Sequence, residues 1–107
     1  MYDDRLKSID WIDTPLEIPT NKTSSYYMYH IQTDKGVRDT LAKHLKDKGV
    51  YTSFRYYPLH LVGYYQDDSV VLPNTEKLST TTLCIPLHQS LSQKDVHTVI
   101  ETIKEFK

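Results

Sequence analysis

The spacing of apolar positions changes several times along the chain, and each spacing predicts an element. From Met1 to Ile18 a short amphipathic stretch carrying Leu6, Ile9, Trp11 and Ile12 runs into Pro15 and Pro19. A residue before proline is pushed out of helical space, so this stretch predicts the tail of a helix followed by an extended linker. Thr20 to Ser25 is polar and without period, which predicts a loop. Tyr26 to Thr33 is aromatic and β-prone, which predicts a strand with Tyr26, Met28 and His30 on one face and Tyr27, Tyr29 and Ile31 on the other. Val37, Leu41 and Leu45 recur every fourth residue and predict a helix over 37–48. Lys46 and Lys48 suit its negative end, and Gly49 can take the left-handed conformation that ends it.

Val50 to Arg55 alternates and predicts a second strand, which Pro58 stops. A short helix is expected over 61–66 and a loop over 67–73. Asn74 is then the expected cap of a weak helix reaching about Thr81. Leu83 to Leu87 predicts a third strand, closed by Pro86. The last helix has the clearest signals. Ser92 and Asp95 form a capping-box pattern, Leu91 and Val96 suit a hydrophobic staple, and Val96, Val99, Ile100, Ile103 and Phe106 make one apolar face. The order of elements predicts an α+β fold, with helices packed on a small sheet of about three strands. The 107 residues suit one small domain, read as a helix tail and linker over 1–25 and an α+β core over 26–107.

Composition narrows the function by exclusion. A hydrophobic fraction of 38% with 25% charged residues describes a soluble globular chain. A formal net charge of -1 carries no basic excess for nucleic acid, and no apolar run reaches the length of a membrane span. Cys84, the single cysteine, lies in the apolar run Leu83-Cys84-Ile85, which suits a buried thiol in a reducing, cytoplasmic setting. The five histidines lack the paired spacing of a metal site. The three glycines are scattered, so no phosphate-cradling loop is present, and no lysine sits in an apolar stretch that would lower its pKa for Schiff-base chemistry.

One segment concentrates chemistry. Arg55-Tyr56-Tyr57-Pro58-Leu59-His60 puts a fixed cation, two phenols and an imidazole within six residues at a strand end. Arg can grip a phosphate or carboxylate through two parallel hydrogen bonds, and Tyr and His can bond hydroxyl or keto oxygens. On residue types alone, a proline-ended strand with aromatic packing accounts for the segment slightly better.

That segment, extended back to Gly49-Val50-Tyr51-Thr52-Ser53-Phe54, resembles a stretch of the DegT/DnrJ/EryC1/StrS aminotransferases. Three further stretches agree in order. They are Tyr26–Ile31 followed by Arg38-Asp39-Thr40-Leu41, then Leu72–Leu78, then Leu83–His88 with Leu91-Ser92. The resemblance covers the chain from about Leu6 onward. It implies a small, mostly antiparallel C-terminal domain of a homodimeric enzyme that aminates a nucleotide-linked keto-deoxysugar. It assigns pyridoxal phosphate, its lysine and its aspartate partner to a large domain upstream, so no cofactor is expected on this chain and the chain alone is expected to be inactive. Carried over residue by residue, it points to Arg55 and Tyr56 as substrate contacts, with His60 as a weaker third. Arg55 stands where many members carry His. Members with Phe54-Arg55-Tyr56 resemble the subgroup acting on deoxysugars linked to deoxythymidine diphosphate. The rival expectation is a free-standing module that binds a sugar nucleotide or a protein. A first helix this short is marginal unless something packs on it. Taken with the missing large domain, this predicts self-association or a loose N-terminus through about Ser25.

Overall fold

A computed structural model describes residues 1–107. Helix α1 (Tyr2–Leu6) leads into β1 (Ile12–Asp13), β2 (Tyr29–Thr33) and α2 (Arg38–Asp47). A 3-10 turn at Leu59–Leu61 precedes α3 (Pro73–Thr81), β3 (Thr82–Ile85) and α4 (Gln93–Lys104). The sheet is antiparallel in the order β1-β2-β3, with Ile12 opposite Thr33 and Ile31 opposite Leu83. The expected α+β class, three strands with helices laid on them, is what forms. No helix is long and apolar enough to cross a membrane.

The core sits between the sheet and helices α1, α2 and α4. Ile31, Leu41, Leu45, Leu83, Ile100 and Ile103 are fully buried there. Tyr2 and Leu6 lie one helical turn apart on α1 and both reach this core. Of the first eight residues these two are buried and the other six are exposed. Ile12 joins them from β1, a strand that the proline-rich sequence predicts only as extended linker.

The ends of the helices follow their residues. α2 closes as a Schellman motif: the Gly49 N–H donates to the Lys46 carbonyl at 2.9 Å and the Val50 N–H to the Leu45 carbonyl at 2.8 Å. Gly49 has φ 80°, where a side chain would be strained. α4 starts on a complete capping box, the Ser92 N–H donating to the Asp95 carboxylate at 2.9 Å and the Asp95 N–H to the Ser92 hydroxyl at 3.2 Å. α3 departs from expectation. Its first residue is Pro73 and the cap position falls on Leu72, not Asn74, because proline needs no hydrogen-bond partner in a first turn. The Glu76 carboxylate takes the Leu72 N–H at 3.1 Å instead.

Two further expectations are corrected. Val50 to Arg55 does not form a strand. Val50 is spent on the end of α2, and only Ser53 pairs, exchanging bonds of 3.0 and 2.9 Å with Cys84. The next bonded pair in that register would set Tyr51 against Pro86, which has no N–H to give. The short helix expected over 61–66 shrinks to the single 3-10 turn after buried Pro58.

Candidate functional site

The segment from Ser53 to His60 lies beside the sheet edge without regular structure. Its first anchor is the Ser53–Cys84 pair. The second is Phe54, whose ring lies under the Arg38 guanidinium with Cζ 4.5 Å from the ring centroid. Arg38 is itself held. It donates to the Asp39 carboxylate at 2.7 and 2.8 Å and to the Ser79 carbonyl on α3. The third anchor is the far end, where Pro58 and His60 are buried.

Between the anchors the chain turns its side chains outward. Arg55 is exposed, and Tyr56 and Tyr57 are each 68% exposed. The Arg55–Tyr56 peptide bond is cis. The Arg55 guanidinium lies 5.8 Å from the centroid of the Tyr56 ring. The Tyr56 phenol, accepting from the guanidinium, holds Arg55 above its already high ordinary pKa. Arg5 lies at 3.9 Å from Glu101 and Arg38 at 2.7 Å from Asp39, but Arg55 has no carboxylate at ion-pair distance. It therefore presents an uncompensated, permanently charged fork to solvent. Arg55 lines a shallow groove of about 190 Å³ together with Tyr27, Tyr51, Ser53, Cys84 and Pro86. The Cys84 thiol is buried, and burial pushes its pKa up.

His60 faces the other way. Its Nε2 lies 3.0 Å from Glu76 Oε1, and its Nδ1 is buried without a partner. Since the carboxylate can only accept, Nε2 carries the proton and donates it to that bond. The bonds from His60 and from the Leu72 N–H hold the Glu76 carboxyl below the usual carboxylate range. The structure thus sets the Arg55 guanidinium beside the Tyr56 ring, but only Arg55 lines the groove, and His60 turns to Glu76 outside it. Arg38 and Glu76 carry the segment, yet spacing in the sequence gives them no such role. They stand among the residues of the family resemblance, and that was the one signal available.

Every lysine in the chain is solvent-exposed. No three His, Cys, Asp or Glu side chains converge in a group that could hold a metal ion.

Comparison with known proteins supplies the context. The sequence profile of the DegT/DnrJ/EryC1/StrS aminotransferase family matches residues 1–104. A dTDP-4-dehydro-2,3,6-trideoxy-D-glucose 4-aminotransferase from Saccharopolyspora spinosa is 36% identical over 104 residues, which are 97% of this chain and 27% of that protein. The aminotransferase TlmJ from Streptoalloteichus hindustanus superposes with a TM-score of 0.92 at 47% identity, over 97% of this chain and 28% of its own. A DegT DnrJ EryC1 StrS aminotransferase from Brucella abortus superposes with a TM-score of 0.84 at 33% identity, over 98% of this chain and 28% of its own. The chain spans a little over a quarter of the length of these relatives.

Proposed function

The chain belongs to the DegT/DnrJ/EryC1/StrS aminotransferase family, and from that premise we propose that it is the C-terminal domain that lines the sugar-nucleotide pocket of such an enzyme. The observation that carries the reading is Arg55, the one arginine without a carboxylate partner, exposed beside the Tyr56 phenol on a groove rim. A free guanidinium matches the diphosphate of a nucleotide sugar through paired charged hydrogen bonds. Tyr56 adds a donor and acceptor suited to a sugar hydroxyl or keto oxygen. His60 contributes from behind, by holding the segment rather than by touching the sugar.

In the family, pyridoxal phosphate supplies the electron sink for amino transfer. The residues of this chain supply recognition and orientation, and the lysine must come from elsewhere in the enzyme. The chain by itself therefore binds without turnover. The whole enzyme is then a cytosolic homodimer acting on a nucleotide-linked keto-deoxysugar.

The test is Arg55→Ala in the full-length enzyme. Losing a charged hydrogen-bond donor to phosphate costs about 1.5–3 kcal/mol, so KM for the nucleotide sugar should rise roughly ten- to a hundredfold. The KM of the amino donor should stay where it was. An unchanged sugar-nucleotide KM would remove Arg55 from the pocket.

A further inference from the structure

The recognition segment has almost no structure of its own. Arg55, Tyr56 and Tyr57 make no hydrogen bond to the rest of the chain, and their side chains are exposed. A loop so free would spread its guanidinium over many positions, and holding it in one costs conformational entropy. The flanking contacts remove that freedom, and two of them end on one helix. Upstream, Phe54 is pinned by Arg38, which donates to the Ser79 carbonyl near the end of α3. Downstream, His60 donates to Glu76 in the first turns of α3 at 3.0 Å. Glu76 is fixed in turn by the Leu72 N–H at 3.1 Å, so it does not swing with the loop. The imidazole is buried and the bond is charge-assisted, which places it among the stronger hydrogen bonds.

We propose that α3 is the frame of the substrate segment, and that Glu76 and Arg38 are positioning residues that set Arg55 and Tyr56 for the nucleotide sugar. Neither needs to touch the substrate. Each acts through a residue next to, or a few places from, the contact, in the way that supporting side chains hold a binding group in its productive geometry. This inference rests on the assignment of Arg55 to the pocket.

The test uses the full-length enzyme with Glu76→Ala and Glu76→Gln, alone and combined with Arg55→Ala. Glutamine keeps an oxygen that can accept from both His60 and Leu72, whereas alanine removes both bonds. In Glu76→Ala, KM for the nucleotide sugar should rise about tenfold, the factor a single hydrogen bond of this kind represents. The turnover number at saturating sugar and the KM of the amino donor should not change. Glu76→Gln should stay close to wild type. In the Arg55→Ala background Glu76→Ala should add little, because residues acting as one unit are not additive. Hydrogen exchange supplies a reading independent of catalysis. The Leu61 and Val62 amides, which close the 3-10 turn, should lose protection in Glu76→Ala and keep it in Glu76→Gln.

If Arg55→Ala raises KM while Glu76→Ala does not, the positioning role is overturned and the pocket assignment stands. An equal fall of turnover with both substrates would show a general loss of fold and would also overturn it. If Arg55→Ala leaves KM unchanged, the pocket assignment fails. Exchange at Leu61 and Val62 then decides whether Glu76 frames the segment: equal protection in all three proteins overturns it, and selective loss in Glu76→Ala sustains it.

Discussion

Tyr2 and Tyr29 set two phenols against each other, ring centroids 4.9 Å apart, where α1 meets the sheet. The Tyr29 hydroxyl donates to the Asp3 carboxylate at 2.5 Å, and the Tyr2 hydroxyl to the Pro86 carbonyl at 2.9 Å. Burial pushes the Tyr2 pKa up to about 12, and burial followed by the Asp3 carboxylate raises that of Tyr29. A folded pKa above the unfolded one means the fold favours the protonated phenol. The stability this brings is whole below about pH 10, the ordinary phenol value, and is lost as pH climbs toward the folded pKa. Circular dichroism should therefore show stability falling steeply between about pH 10 and 12. Tyr2→Phe should lose about 1 kcal/mol at neutral pH with the bond to Pro86, yet its decline in alkali should be shallower. A variant as steep as wild type would show that Tyr2 titrates freely. At this scale the sequence is legible for some residues only. Arg55 and Tyr56 advertise their chemistry by type. Glu76 and Arg38 do not, because their partners lie 16 residues away in His60 and 16 residues away in Phe54.

Elements were legible where their signals are local. α4 announces itself within fifteen residues, from the Ser92–Asp95 box to an apolar face at helical period. α2 does the same, down to Gly49 in the left-handed conformation. What could not be read is pairing between distant strands. β1 is two residues long and exists because Ile12 finds Thr33, which no pattern around Ile12 encodes. The strand expected at Val50–Arg55 has the right alternation, but its pairing depends on Pro86 across the gap. The capping box gives a prediction at this scale. Ser92→Ala should cost about 1 kcal/mol of stability by thermal or denaturant unfolding. Bonds from the Ser92 hydroxyl and backbone N–H lower the Asp95 pKa, so its ionised form favours the fold. That contribution is present above the unfolded carboxylate value near pH 4 and is lost as pH falls through the lower folded value. Asp95→Asn should thus be less stable at neutral pH and flatten the acid side of the stability curve. Parallel curves for the two proteins would exclude the box as a source of that slope.

The molecule as a whole is more open than its size requires. The radius of gyration is 15.3 Å, where a compact chain of this length would have about 13 Å. Its accessible surface is 7933 Å², against roughly 6,200 Å² for a free-standing domain of 12.5 kDa. The surplus is apolar in part: Tyr51 is 83% exposed, Tyr64 89%, Val71 72% and Leu16 94%. Water-facing rings and aliphatic groups on this scale drive association. The surplus exceeds what one partner commonly gives up in a specific interface, about 800 Å². The core does not compensate, since it already includes α1 and β1 and leaves the stretch from Tyr51 to Leu72 outside. We therefore expect the isolated chain to self-associate as concentration rises, with a symmetric dimer as the first species. Light scattering across a wide concentration range measures this directly. Leu59→Asp with Tyr64→Asp should return it to monomer with helix content unchanged, because both side chains are exposed and neither enters the core. A wild-type chain that stays strictly monomeric at high concentration would mean that the open face is tolerated by itself. The chain would then be better described as a free-standing module than as a domain shaped to rest against the remainder of an enzyme.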